Sequence, residues 1–365
     1  MKKLVFRKFV LDVLIFFIFS ILIMGLIVWT IQAINFFDFV SEDGHGLKVY
    51  FLYILLNFPK IIHRILPFMF FISLFFTIIK YELNNELNIF WINGISKIKF
   101  INTILIFSLT LMMIQIFLGS YLSPLSQLKA RNLIKNSNVD FFTHLINEGK
   151  FINAVKGLTI FIEKKESDNF SNIFIDDSTK QYSRMIYAKN GILVGEKGNN
   201  KFVLFDGKVI NSDKNRVNTF KFEQIDFSLE AFGSNSIIKP KIQEIKSSNL
   251  LGCLFPKYII NVERCKNNDS INEVKQELLK RFFKPIYIPL IALMCCFLFF
   301  SGKFNNNYEK LKKLIFFVVL VLIIISETSL RYSTTSSIFM FLYFLIPFAL
   351  FLTFYLFSYF RINYA

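Results

Sequence analysis

The sequence predicts a membrane protein of the α plus β class, with six transmembrane helices and a β-rich domain inserted between the third and the fourth. Three observations predict this fold. Hydrophobic residues make up 54% of the 365 positions and include 48 Phe, far above the average for a soluble domain. Six apolar runs mark the crossings. Between the third and the fourth run lies a polar stretch with short strand-like segments.

The first apolar run follows four basic residues between positions 2 and 8. It is longer than a signal-peptide core and lacks a small-residue cleavage site, so we interpret it as a helix that spans the membrane. The second run contains Pro59 and Pro67, which predict a kink. The six predicted crossings are Phe9–Ala33, Tyr50–Ile79, Phe100–Leu122, Phe282–Phe300, Leu314–Ser326 and Ile338–Phe360.

Charge in the short loops predicts the orientation. The N-terminus, residues 80–99, the loop 302–313 and the C-terminal tail together carry 12 Lys and Arg, whereas the opposite short loops carry only Lys48 and Arg331. Positive charge accumulates in cytoplasmic loops. We therefore expect cytoplasmic termini, membrane parts at 1–122 and 281–365, and a domain at 123–280 on the far side.

The charged segment between the second and third runs predicts an amphipathic surface helix at about residues 82–93. Apolar residues recur there at helical spacing between acidic and amide side chains, and a glycine ends the pattern. Such a helix is either a docking element for a soluble partner or an ordinary helix in the membrane interface. The docking hypothesis rests on Glu82, Glu86, Leu87, Phe90, Trp91 and Gly94.

Three ionisable residues inside the second run share one helix face, because Lys60, His63 and Arg64 occur at i, i+3 and i+4. Unpaired charge in a membrane is costly, so these residues need anions. The anions are either lipid phosphates or the carboxylates of Asp38, Glu42 and Asp43.

A second charged pair lies at the end of the fifth crossing. Glu327 and Arg331 are four residues apart, and we expect them to pair with each other.

Residues 123–280 contain short β-rich runs without intervening helices, which favours a sandwich, jelly roll or barrel. The runs are Leu158–Ile162, Phe170–Ile175, Arg184–Ala188, Lys201–Phe205 and Thr219–Leu229. Asn190-Gly191 and Asp206-Gly207 are typical turn signals between strands. Several aromatic residues either line an apolar conduit or form plain core, namely Phe161, Phe174, Phe202, Phe220 and Phe222.

Several function classes lack their sequence signals. The chain has no nucleic-acid-binding motif, no metal-ligand spacing and no Gly-x-x-x-x-Gly-Lys-Ser/Thr phosphate loop. We therefore expect no directly bound cofactor or metal and no ATP hydrolysis by this chain itself. Cys253 and Cys265 either pair with each other or are free thiols.

Local patterns in a fixed order resemble one family, the lipopolysaccharide-export permeases LptF/LptG. The coupling segment of that family is similar to Glu86 followed by Gly94-Ile95-Ser96, and the exit from its third helix is similar to Tyr121-Leu122-Ser123-Pro124. Glu277, Arg281 and Pro285 match the residues before its fourth helix. The segments Gly149-Lys150-Phe151 and Ile175-Asp176-Asp177 look more like the F-type subunit.

The resemblance implies one subunit of a bacterial inner-membrane exporter with a periplasmic β-jelly-roll domain. Family members pair an F-type with a G-type subunit, and a cytoplasmic ATPase dimer (LptB-like) binds their coupling helix. They extract lipopolysaccharide and pass it to periplasmic jelly-roll proteins (LptC-like and LptA-like). The resemblance also implies phosphate contacts for Lys60, His63 and Arg64. Alternatives are the G-type subunit and a membrane sensor or scaffold that transports nothing, while the β-rich segment disfavours a lipoprotein-type permease.

Overall fold

The computed structural model of the chain describes residues 2–37, 47–145, 148–155, 158–166, 169–178, 183–196, 199–213, 216–228, 240–254, 268–300, 302–303 and 307–363. The acidic residues Asp38, Glu42 and Asp43, the alternative partners for the cations of the second crossing, lie outside these ranges.

The six predicted crossings are confirmed: among the described residues, six helical segments are long and apolar enough to cross a membrane. Most of them extend beyond the predicted apolar runs, and the second continues through Pro59 and Pro67. The described helices are α1 (Lys2–Asn35), α2 (Leu47–Leu83), α3 (Glu86–Ile92), α4 (Lys97–Phe117), α5 (Ser123–Leu145), α6 (Ser247–Leu254), α7 (Asn268–Phe282), α8 (Tyr287–Cys296), α9 (Tyr308–Tyr332) and α10 (Ser337–Asn363).

Two of the crossings are composite. A π-helical turn, Leu118–Leu122, joins α4 directly to α5, and a 3₁₀ turn, Lys284–Ile286, joins α7 to α8. Helix therefore continues across residues 122–123 and 280–281, where the sequence places domain boundaries. The described strands occupy the narrower range from Phe151 to Ser228.

The chain divides into two compact units. The membrane unit comprises residues 1–31, 57–127 and 241–365, and the sheet unit comprises residues 32–56 and 128–240. In the membrane unit α8 is buried along its whole length, whereas α10 exposes most of its apolar surface. A helix that is apolar on its exposed faces suits a lipid environment.

The sheet unit contains one antiparallel sheet in which each described strand pairs with its neighbours in sequence. The strands are β1 (Phe151–Val155), β2 (Leu158–Glu166), β3 (Asn169–Asp177), β4 (Ser183–Glu196), β5 (Asn199–Asp213) and β6 (Arg216–Ser228). All five predicted strand segments begin inside these strands. A jelly roll requires strands that cross between two sheets, so this sequential order does not confirm the predicted jelly-roll topology.

One row of residues interrupts the strand pairing at the same level from β2 to β6. It consists of Glu163, Asn172, Lys189, Asp206 and Glu223, none of which has a backbone partner in the register. Asn172 and Asp206 have left-handed backbone conformations, each with φ of 51°. The predicted turns at Asn190-Gly191 and Asp206-Gly207 are wrong, because both lie at this interruption, inside strands that continue past it.

Side chains from both sides of the interruption are buried in one apolar cluster. Leu158, Ile160 and Ile162 share its face as the alternation predicts, and each is at most 2% exposed. Phe170 and Phe202, on the other side of the interruption, belong to the same cluster. We infer that the sheet bends at this row, so that its parts on either side of the row pack against each other through their apolar face.

Candidate functional site

Polar side chains from α2, α5, α7 and α9 surround a cavity of about 950 Å³ in the membrane unit. Lys60, His63 and Arg64 all line it, so the predicted common face of α2 is confirmed. Their contact with a phosphate stays a prediction. We call this space the cationic cavity, because more cations than carboxylates line it among the described residues.

Further cations of the cavity come from other segments, and sequence reasoning did not place them there. They are Lys241, Lys280, Lys284 and Arg331. Lys280 and Lys284 are four residues apart, so their spacing did carry a signal for a shared face. Lys241 had no such signal, because it lies in a non-helical segment before α6. Only the tertiary fold brings it to α2.

Two carboxylates of the cavity are engaged by its own cations. Glu327 pairs with Lys284, so the predicted pair with Arg331 is wrong. Glu327 and Lys284 lie on different helical segments, and the 3₁₀ turn before α8 brings them together. Glu277 pairs with Lys280 at 3.6 Å.

Other cations of the cavity have no anionic partner among the described residues. In the part of the chain that the structure describes, Lys60, Arg64 and Arg331 form no ion pair. Lys60 and Arg64 are one turn apart on α2, and Arg331 faces the same space from α9. Free cations around a cavity attract phosphate groups, which an arginine fork and a lysine ammonium bind by charge-assisted hydrogen bonds.

Arg281 holds the wall of the cavity together rather than facing a ligand. Its side chain is 1% exposed and bonds to Glu277 at 2.9 Å. It also donates to the backbone carbonyls of Gln243 and Ile245 and to the Ser247 hydroxyl, each at 2.9 Å. The segment 242–247 is therefore fixed to α7 by one guanidinium, whose burial is compensated by these partners.

His63 packs against the π-helical turn at Gly119. A Cβ atom on Gly119 would lie 2.5 Å from His63 Cε1, closer than real side chains approach. The absence of a side chain at Gly119 thus allows the imidazole to reach the cavity wall. π-Helical turns often occur at functional positions in helices, and this one borders the cationic cavity.

The predicted surface helix at 82–93 is two elements. α2 continues to Leu83, and Asn85, with φ of 61°, starts a separate helix α3 at Glu86. Gly94 ends α3 with φ of 72°, as the sequence predicts.

The predicted acidic patch of Glu82 and Glu86 is therefore wrong. Glu82 lies on α2, is 4% exposed, and accepts the backbone N–H of Lys303 at 2.8 Å. Glu86 forms an ion pair with Lys8 of α1 at 3.1 Å.

The apolar side chains predicted to anchor a partner instead anchor α3 to this chain. Leu87 and Phe90 belong to the core of the membrane unit, and Trp91 packs against Phe299 at a ring distance of 6.0 Å. The exposed apolar residues of α3 are Ile89 and Ile92, which are 53% and 85% exposed. A partner that binds α3 meets these two side chains.

The aromatic residues predicted to line a conduit divide into three groups. Phe161, Phe174 and Phe222 line a cavity of about 920 Å³ in the sheet unit. Phe202 is fully buried in the packed core, and Phe220 is 57% exposed and does not line the cavity. Phe202 therefore follows the plain-core alternative, and Phe220 neither lines this cavity nor belongs to the core.

The described cysteines differ in their bonding state. Cys295 and Cys296 are free and buried in α8. Cys253 is disulfide-bonded, and Cys265 lies outside the described residues. A disulfide is typical of an oxidising compartment.

Comparison with known proteins agrees with the architecture. A family model described as "Lipopolysaccharide export system permease LptF/LptG" matches residues 8–361, nearly the whole chain. An uncharacterized protein of Rickettsia prowazekii (strain Madrid E) is 25% identical over 301 residues, which cover 79% of each chain.

Proposed function

Because the chain belongs to the lipopolysaccharide export permease family LptF/LptG, we propose that it is the F-type permease subunit of an ATP-driven exporter. In this proposal it extracts lipopolysaccharide from the inner membrane and passes it to periplasmic jelly-roll proteins. ATP is hydrolysed by a cytoplasmic ATPase dimer, and a G-type permease completes the membrane part. Both termini and α3 are cytoplasmic, and the sheet unit is periplasmic.

The cationic cavity is the observation that carries the proposal. Lipopolysaccharide carries phosphates on its lipid anchor, and such groups need cations at the membrane surface. Lys60, Arg64 and Arg331 supply cations without ion-pair partners among the described residues. Since unpaired charge in a membrane segment is costly, a phosphate ligand offers the compensation that the described residues do not supply.

The short helix α3 supports the ATP-driven part of the proposal. It exposes Ile89 and Ile92, while Leu87 and Phe90 fix it to the membrane core. A small rigid helix with an exposed apolar side suits a groove on a soluble partner. Movement of that partner then reaches α1 through the Glu86–Lys8 pair and α2 through the chain connection at Asn85.

Charge reversal in the cavity tests the proposal. Lys60→Glu combined with Arg64→Glu should lower ATP-driven extraction of lipopolysaccharide by about tenfold or more, because repulsion replaces two charge-assisted contacts. The assay uses proteoliposomes that contain the ATPase and the second permease. Lys48→Glu is the matched control on the same helix, since Lys48 does not line the cavity.

Unchanged extraction by the double variant would contradict the headgroup site. Co-purification decides the subunit type: a stable complex with a G-type partner supports the F-type assignment, and a complex with an F-type partner contradicts it. A chain that binds neither a permease nor the ATPase would favour the sensor or scaffold alternative.

A further inference from the structure

The ion pair of Glu327 and Lys284 places an anionic group of the protein inside the cationic cavity. The Lys284 ammonium donates to the Glu327 carboxylate, and both side chains line the cavity. The Lys284 side chain is 10% exposed, whereas that of Glu327 is 50% exposed. The carboxylate is therefore the accessible partner of the pair.

Positive charge from several segments converges on this carboxylate. Lys284, Lys280 and Arg64 all interact with it electrostatically. Arg64 comes from α2, Lys280 from α7, and Lys284 from the 3₁₀ turn after α7. Lys280 and Arg64 also act on Lys284, which like charges repel. The carboxylate thus marks a point in the cavity at which three cations stabilise an anion.

An incoming phosphate can replace this carboxylate. The half-exposed Glu327 side chain can leave Lys284 by rotation about its own side-chain bonds, without a movement of α9. A phosphate monoester carries a charge of about −1.5 to −2 at pH 7 and three acceptor oxygens. It therefore offers Lys284 more charge than a single carboxylate does.

The return of Glu327 to Lys284 would favour release of the phosphate. Six Lys and Arg but three Glu are found among the described lining residues, an arrangement that holds anions tightly. A departing phosphate would leave the buried Lys284 as an uncompensated charge, which is costly. A carboxylate of the protein that takes the place of the phosphate removes this cost.

We propose that Glu327 and the phosphate of the bound lipid compete for Lys284, so that Glu327 is a positioning residue that promotes release. The inference rests on the proposed function, because it assigns a role to one residue of the headgroup site. It goes further than that function, since a headgroup site by itself requires no internal competitor.

Binding of a fluorescent lipid to the full chain in neutral detergent tests the competition. The probe is a disaccharide lipid with one phosphate monoester, and the control probe is the same lipid without the phosphate. Glu327→Gln should tighten binding of the phosphorylated probe and slow its dissociation, each by about fivefold or more, because the amide carries no charge to compete for Lys284. A purely structural ion pair predicts the opposite sign, since its loss would weaken the site.

Two control variants separate competition from the general loss of one negative charge. Glu273→Gln removes a carboxylate that lines the same cavity and belongs to none of the described ion pairs, and it should tighten binding by less than about twofold. In a Lys284→Met background, Glu327→Gln should also change binding by less than about twofold, because the contested ammonium is gone.

A crosslinking experiment on the unmodified protein does not depend on any variant. A carbodiimide joins a carboxylate to an amine in direct contact, and peptide mass spectrometry measures the yield. Saturating phosphorylated probe should lower the yield of the Glu327–Lys284 crosslink by about fivefold or more. The Glu86–Lys8 pair, at 3.1 Å, is the internal control and should keep its yield.

The outcomes distinguish this inference from the headgroup site on which it rests. Suppose that the phosphorylated probe binds more tightly than its control: unchanged or weaker binding by Glu327→Gln, or a crosslink that the probe does not reduce, would then overturn the competition alone. Equal binding of the two probes, both to the unmodified chain and to Glu327→Gln, would contradict the headgroup site and this inference with it.

Discussion

The best-predicted residues are those whose position depends on one helix alone. Lys60, His63 and Arg64 share a face of α2 because the helical period places them there whatever the surroundings. Glu82 and Glu86 have the same i, i+4 spacing, yet Asn85 in a left-handed conformation separates them into two helices. Asn visits that conformation more readily than most residues, but the sequence does not show that it does so here.

The contact between His63 and Gly119 gives a prediction at the scale of single residues. Gly119→Ala should destabilise the protein by about 1–3 kcal/mol, because the new methyl group overlaps the imidazole. Combining it with His63→Ala should restore most of the loss, since the overlap then disappears. The measurement is the thermal denaturation midpoint in detergent for the two single variants and the double variant.

Gly25→Ala provides the matched control, because its Cβ would come closest to the flexible end of Ile62, at 3.1 Å, and would lie at ordinary contact distance from the Phe58 ring. Gly25→Ala should therefore destabilise the protein much less than Gly119→Ala does. Additive effects of Gly119→Ala and His63→Ala would show that the imidazole does not limit the space at the π-helical turn.

At the scale of elements, apolar runs predicted all six crossings because membrane helices must be long and apolar. The sequence could not predict that helix continues past the third crossing into α5, since α5 is polar and a helix there gains nothing from lipid. The predicted turns between strands were wrong for a different reason. Asn190-Gly191 and Asp206-Gly207 have turn chemistry, but here that chemistry serves a bend inside β4 and β5.

The exposed side of α3 gives a prediction at this scale. Ile92→Asp should weaken binding of the ATPase by about tenfold or more, because the 85% exposed isoleucine is the largest apolar surface that α3 offers. Co-purification from detergent extracts, or titration of the purified ATPase, measures the loss.

The neighbouring change Asn93→Asp introduces the same charge one residue later and should leave binding nearly intact. If Leu87→Ala weakened the ATPase interaction while Ile92→Asp did not, α3 would contact its partner through the opposite side. That result would restore the orientation predicted from sequence.

At the scale of the whole molecule, the architecture could be predicted from the sequence better than the cationic cavity could. The layout of three crossings, a polar insertion and three crossings is visible in hydropathy alone. The cationic cavity is not, because Lys241, Lys284 and Arg331 come from three separate segments that meet only in the fold. The interaction of Glu327 with Lys284 illustrates this limit, since the nearer candidate in sequence was Arg331.

We propose that the cationic cavity receives the phosphorylated headgroup of the transported lipid. The most direct measurement places a photocrosslinking amino acid at Thr328, an uncharged residue of α9 that lines the cavity. Ile324, one turn earlier on α9 and 61% exposed, does not line the cavity and is the control position. The membranes also contain the ATPase and the second permease.

We expect lipopolysaccharide adducts at Thr328 that decrease when ATP drives the lipid onward, and few adducts at Ile324 under either condition. Equal adducts at the two positions, or none at Thr328 with both partners confirmed present, would contradict it.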